Sequence, residues 1–188
     1  MDALVPAFII ALLIETGDRT QLLAGLLGAR FRRPAAVLGG IALATLLNMA
    51  LAGVAGAEIA EHINHRAIRL MTGLALLLAG GGAFFRPKPP PAVERWTLGA
   101  FLSSAGAFFI LAFGEKAQFA TAAIAAGSGQ PALAAAGAVA GVVLAQVPAV
   151  VLGERWPGPV PLRAIRMVAG ALMAIAGLVL AIGALGIG

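Results

Sequence analysis

The sequence predicts an all-α polytopic membrane protein: six transmembrane helices arranged as two inverted three-helix repeats. Three observations carry that prediction. Of the 188 residues, 61% are hydrophobic and only 11% charged, and the mean hydropathy is +0.98. A soluble domain carries about 25% charged residues. Six stretches reach the roughly 20 mostly apolar residues that cross a bilayer: 4–28, 35–57, 67–85, 98–125, 131–153 and 164–186. Finally, the two halves match at a constant offset of 97 residues. The absence of cysteine excludes disulfides, thiolate metal sites and Cys nucleophiles. His62 and His65 do not suffice for a zinc enzyme site. No nucleophile–base set or redox ligand set is present, so an enzyme is not expected.

Span 1 does not read as a signal peptide. The N-terminus carries Asp2 and no basic residue, and Glu15, Asp18 and Arg19 interrupt the apolar run. The loop after it holds Arg30, Arg32 and Arg33. Span 2 contains Asn48 and is followed by Arg66, with Arg69 just inside span 3. Residues 86–97 form a linker between repeat units 1–85 and 98–188. Its run Arg86-Pro-Lys-Pro-Pro-Pro91 is stiff and extended, and Lys88 and Arg95 add charge. The loop after span 4, 127–130, holds no charge. In span 5, Pro148 predicts a kink. Arg155, Arg163 and Arg166 follow before span 6. Basic residues concentrate in cytoplasmic loops. Placing the odd-numbered loops inside puts nine basic residues in and two out. This predicts a multi-pass protein of the cell (inner) membrane with both termini outside the cytoplasm. It also sets Trp96 and Trp156 at the inner interface, where indoles are favoured. The formal charge of +5 is thus an orientation signal, and no nucleic acid partner is expected.

In the repeat, Gly17 matches Gly114, Gln21 matches Gln118, and Pro34-Ala35 matches Pro131-Ala132. Gly40 matches Gly137, and Ala67-Ile68-Arg69 matches Ala164-Ile165-Arg166. Gly73 and Gly80 match Gly170 and Gly177, two turns apart on one face, where they allow close helix packing. An odd number of spans per repeat makes the second copy enter the membrane from the opposite side. In secondary transporters so built, the substrate site lies near the midplane between the repeats.

The chemistry-bearing residues occupy equivalent points. Glu15-Thr-Gly-Asp-Arg-Thr-Gln21 lies in mid-span 1, and Ala112-Phe-Gly-Glu-Lys-Ala-Gln118 in mid-span 4. Each charge at a helix centre costs about 2.5–3.5 kcal/mol, so Glu15, Asp18, Arg19, Glu115 and Lys116 together cost roughly 12–17 kcal/mol. Folding alone does not require this, and intramembrane ionisable groups mark ion or substrate pathways. Glu15, Asp18 and Arg19 fall at i, i+3 and i+4, on one helix face. Asp18 and Glu115 are equivalent under the repeat, which brings them together. Glu15, Asp18 and Glu115 form an all-oxygen candidate metal site, with Thr20, Gln21 and Gln118 nearby. Hard divalent cations prefer such donors. Gly17 and Gly114 permit local unwinding. Clustered carboxylates repel one another, so protons and a metal compete for the same oxygens. That competition is the basis of cation/proton exchange. Structural ion pairing, Glu15 with Arg19 and Glu115 with Lys116 or Arg19, is the alternative.

Asn48 faces Ala145 under the offset, next to Gln146; both either line the cavity or join helices. Thr45 and Thr72 are expected to bond helix carbonyls, and Ser103-Ser104 to pack against a neighbour. His62 and His65, with Glu58 and Glu61, read as a solvated polar loop.

The pattern Glu-x-Gly-Asp-(Lys/Arg)-Thr-Gln, matched in full by Glu15 to Gln21, resembles the signature of the GDT cation/proton exchanger family, uncharacterised protein family 0016. That family includes bacterial manganese exporters and Golgi Ca2+/Mn2+ exchangers. The resemblance covers essentially the whole chain. It implies that the acids of both motifs form the cation site, here Glu15, Asp18 and Glu115. The second motif departs: Ala112 stands for Glu, Glu115 for Asp, and Ala117 for Thr. The expectation is a secondary transporter exporting Mn2+, or Ca2+, in exchange for protons, with no resident cofactor. Arg19 and Lys116 would neutralise the acids when metal is absent. A transporter of a small organic cation or amino acid, and a non-transporting assembly factor, are the alternatives. The expected partners are the metal ion, protons and the lipid bilayer. The sequence does not decide whether the chain forms a homodimer.

Overall fold

A computed structural model describes residues 3–90, 97–156, 158 and 160–186. Asp2, Pro91, Arg95 and Trp96, used in the sequence reading, lie outside the described residues. Among the described residues all regular structure is helical. The helices are α1 (Leu4–Glu15), α2 (Arg19–Phe31), α3 (Pro34–His62), α4 (His65–Gly82), α5 (Gly99–Ala112), α6 (Lys116–Ser128), α7 (Pro131–Leu152) and α8 (Leu162–Leu185). A 3-10 turn, Gly153–Arg155, follows α7.

The helix starts repeat. Arg19, Pro34 and His65 open α2, α3 and α4; Lys116, Pro131 and Leu162, each 97 residues on, open α6, α7 and α8. The local causes also repeat. Pro34 and Pro131 sit in the first turn, where a missing N–H costs nothing. Arg32 and Gly129, again 97 apart, end α2 and α6 in the left-handed conformation. Asn64 caps α4, accepting from Ala67 N–H at 2.9 Å.

Two expectations are corrected here. Residues 4–28 and 98–125 are not single helices. Each is broken, after Glu15 and after Ala112, and α5 and α6 meet at a bend of 71°. Because α1 ends at Glu15 and α2 begins at Arg19, Glu15, Asp18 and Arg19 do not share one helix face. Apolarity averages across both breaks and hides them; the two glycines cause them. Gly17 and Gly114 have φ of +78° and +71°, a region that disfavours residues with a side chain. The other four predicted stretches each coincide with a helix within a few residues. Three helices (α3, α7 with its 3-10 turn, and α8) are long and apolar enough to cross a membrane, four if the bent pair counts as one span. Pro148 sits inside α7 without ending it.

Packing follows the same offset. α1 packs on α7 and α5 on α3; α2 packs on α7 and α6 on α3; α4 packs on its own equivalent, α8. Small residues set these approaches, as expected where no water drives helices together. A side-chain carbon on Gly73 would lie 2.8 Å from Gly177 O, and one on Gly80 would lie 2.5 Å from Gly170 O. An early residue of α4 thus meets a late one of α8, and the reverse, so the two helices cross with opposed chain directions. Likewise a side-chain carbon on Gly137 would lie 2.1 Å from Leu4 O, and one on Gly40 would lie 2.3 Å from Phe101 O. Gly137→Ala is therefore expected to push α1 off α7 and destabilise by about 1–3 kcal/mol, the usual penalty of overpacking. Gly81→Ala, with nothing within 4 Å, is expected to cause no loss. Thermal unfolding midpoints in detergent check this, and equal midpoints for the two variants would contradict the packing account.

Candidate cation site

The two breaks face one another in the middle of the molecule. Asp18 and Glu115 occupy the N-cap positions of α2 and α6, where the helix dipole favours negative charge. The residues after them, Arg19 and Lys116, open the two helices. Each acid pairs with the cation of the opposite break. Lys116 Nζ lies 2.7 Å from Asp18 Oδ2, and Arg19 forms an ion pair with Glu115. Both partners of the first pair are displaced by 97 residues in the second, so one interaction occurs twice. Arg19 Nη2 also donates to Leu111 O, at the end of α5, at 3.3 Å. Of the pairings weighed from sequence, Glu115 with Arg19 is present. Glu15 with Arg19 and Glu115 with Lys116 are not.

Glu15 is buried and differently held. Its Oε2 accepts from Thr20 Oγ1 at 2.5 Å and from Gln146 Nε2 at 2.8 Å. Among the described residues no Lys, Arg or His pairs with it. It is the one acid of the motifs whose partners are all neutral. Gln21 and Gln118 fasten the breaks. Gly17 N–H donates to Gln21 Oε1 at 2.8 Å, and Gln21 Nε2 donates to Ala145 O at 2.5 Å. Gly114 N–H donates to Gln118 Oε1 at 2.6 Å, and Gln118 Nε2 donates to Asn48 O at 3.0 Å. Both glutamines thus tie an unwound glycine to a helix of the other half, and their amide oxygens are engaged. Asn48 Nδ2 reaches Phe109 O at 3.4 Å, joining α3 to α5.

Among the described residues no three His, Asp or Glu side chains gather closely enough to hold a metal ion. The arrangement brings Asp18 and Glu115 to cations and leaves Glu15 among neutral donors. Thr72 bonds Ile68 O as expected, at 2.9 Å. Thr45 does not: its hydroxyl is buried without a partner, as are those of Ser103 and Ser104. His62 is exposed and bonds Glu58 O at 2.8 Å within its own helix. Sequence reasoning gave Gln146 a cavity-lining or helix-joining role but no bond to Glu15, and Arg166 no role beyond loop charge and repeat match. The signal for Arg166 was its place in the repeated Ala-Ile-Arg run.

The family model for the divalent cation/proton antiporter GDT1 matches residues 3–88 and 100–187, segments whose first residues are again 97 apart. The chain belongs to this family. The "Putative manganese exporter" of Vibrio cholerae serotype O1 is 32% identical over 173 residues, 92% of this chain and 86% of the relative. No solved structure matches the chain significantly. Family membership and the apolar helices make the chain a membrane transport protein rather than an enzyme.

Proposed function

We propose that the chain exports Mn2+ in exchange for protons, with Ca2+ as a second accepted ion, across the bacterial inner membrane. In this reading there are six spans: α1–α2, α3, α4, α5–α6, α7 and α8. They form two inverted repeats, and both termini lie outside the cytoplasm. The opposed directions of α4 and α8, equivalent helices packed on each other, support the inversion. The relative's description supports the choice of Mn2+.

One observation carries the proposal: the doubled ion pair, Asp18 with Lys116 and Glu115 with Arg19, at two facing helix breaks. Buried pairs are weak evidence for stability, because desolvation offsets the attraction. A pair occurring twice at the centre of a membrane protein is better explained by use. When metal is absent, each acid is neutralised by the cation from the other half. Metal binding requires Asp18 and Glu115 to exchange those cations for the ion, and Glu15 supplies a third carboxylate. Glu15 has no cation to neutralise it, so a proton takes that part on the return step. Thr20, Gln21, Gln118 and Asn48 support the site by holding the acid and the unwound backbone. In proteoliposomes containing a metal-sensitive dye, an imposed proton gradient is expected to drive Mn2+ flux; no flux would overturn the proposal.

A further inference from the structure

The 97-residue equivalence holds for helix starts, glycine contacts, glutamine bridges and ion pairs, and apart from the surroundings of Glu15 it fails at one place. On the α8 side, the start of that helix covers the first break. A side-chain carbon on Gly17 would lie 3.4 Å from Leu162 O and 3.7 Å from Arg166 Cβ. Arg166 bridges two carbonyls: Nε donates to Ala83 O at 2.9 Å, just beyond α4, and Nη1 donates to Gly17 O at 3.3 Å, within the break. On the α4 side the equivalent residues are His65, Arg69, Leu180 and Gly114. There a side-chain carbon on Gly114 would meet nothing within 4 Å. Arg69 is exposed, and among the described residues it makes no hydrogen bond or ion pair. Beside Arg69 lies a cavity lined also by His65, Ile68, Thr72, Gly127 and Leu180, next to the end of α6 that is farther from Gly114.

The charges fix what fills the open side. Gly17 is buried and Gly114 exposed. At the second break the side chains of Glu115 and Lys116 retain 18% and 26% of their exposure, and Arg19, reaching across to Glu115, retains 31%. An exposed charge at mid-membrane faces water, not hydrocarbon. The second break is therefore reached by water, while the first is covered. Arg66, one turn before Arg69, holds Leu185 O at 2.6 Å, so α4 and α8 are joined at this end.

We infer that Arg166 and Arg69 are alternating latches on the path to the cation site. Arg166 closes the α8 side in the state described here. Arg69 closes the α4 side in the opposite state by bonding Leu180 O and Gly114 O. Each latch stabilises only one of two exchange-related states, so loss of either shifts the population away from the state it holds. These are positioning residues that do not touch the ion. The inference rests on the transport reading, because only a protein that alternates access uses two such states.

The cysteine-free sequence gives a clean background for thiol labelling. Thr16→Cys reports on the covered break, and Thr72→Cys on the open cavity. In the otherwise native protein, a water-soluble maleimide is expected to label Thr72→Cys quickly and Thr16→Cys slowly. Adding Arg166→Gln removes two hydrogen bonds from a charged donor, so labelling of Thr16→Cys is expected to rise about tenfold and that of Thr72→Cys to fall. Arg69→Gln should do the reverse, lowering the rate at Thr16→Cys. Arg166→Lys keeps the charge but cannot span both carbonyls, and should give an intermediate rate. Were Arg166→Gln not to fold, Arg69→Gln and Arg166→Lys would still decide. Rates that rise together at both positions, or that do not change, would overturn the inference. Flux measured on the same preparations separates the two claims. Mn2+ flux without opposed labelling shifts sinks the latches alone; opposed shifts without flux leave the latches standing and sink the assigned cargo.

Discussion

Asp18→Asn combined with Glu115→Gln is expected to reduce Mn2+ flux to background. Each carboxylate offers the ion a charge-assisted contact, and losing one contact worth about 1.5–3 kcal/mol lowers affinity roughly 10- to 100-fold. Losing both removes the pair of ligands that the repeat supplies in duplicate. The variant also leaves Lys116 and Arg19 without their partners, and an uncompensated buried charge destabilises by about 3–5 kcal/mol, less where the pair is part-exposed as here. A companion variant, Asp18→Asn with Lys116→Gln, separates the two effects. It deletes one pair entirely, is expected to fold as well as the native chain, and still fails to transport. Asp18→Glu keeps the charge and should retain measurable flux. Native flux in either neutralised variant would mean that the pairs are structural only.

Ala112→Glu, which restores the family's acid to the second motif, is expected to destabilise the protein and leave flux no better. The reason lies in what surrounds the two positions. Glu15 receives hydrogen bonds from Thr20 and Gln146. The equivalents of those donors around Ala112 are Ala117 and Met49. The second break thus lacks the acid and both of its donors together. A carboxylate at position 112, where Ala112 is 5% exposed, would be buried without them. An unsatisfied buried polar group costs about 1–3 kcal/mol, more when charged. Adding Ala117→Thr and Met49→Gln is expected to recover the unfolding midpoint lost by Ala112→Glu alone. A single variant as stable as the native chain, or a triple variant no better than the single, would contradict this. In the proposed reading the asymmetry also bears on exchange, since it leaves Glu15 without a repeat-related second acid to carry a proton.

Much of the molecule was legible in the sequence, for physical reasons. Apolar runs marked the helices because a bilayer admits few other segments. The 97-residue offset marked equivalent helices because Pro34, Pro131, Gly40 and Gly137 serve geometry, not hydrophobicity alone. The acids Glu15, Asp18 and Glu115 stood out because charge is scarce in this chain. The breaks were less visible. Glu15, Asp18 and Arg19 have the spacing of one helix face, and only the positive φ of Gly17 removes that face. Cross-pairing goes with this: neither Asp18 nor Glu115 caps its own helix with its side chain, and each meets the cation of the other half instead. The backbone bond of Gln21 was hidden for a similar reason. In an intact helix its amide would be spare, whereas beside an unwound glycine it satisfies a backbone N–H. The difference between the two sides of the molecule was not legible at all. Ala67-Ile68-Arg69 and Ala164-Ile165-Arg166 are identical runs, yet only Arg166 bonds Ala83 O and Gly17 O.

The central claim is that one site takes either a divalent cation or protons. The most direct measurement records both in the same vesicles. Native protein is reconstituted with an entrapped metal indicator and a pH indicator, and Mn2+ is added outside with no imposed proton gradient. The account predicts that Mn2+ entry and proton exit begin together, in fixed proportion, and that both vanish in Asp18→Asn with Glu115→Gln. Mn2+ entry with no proton movement would contradict it.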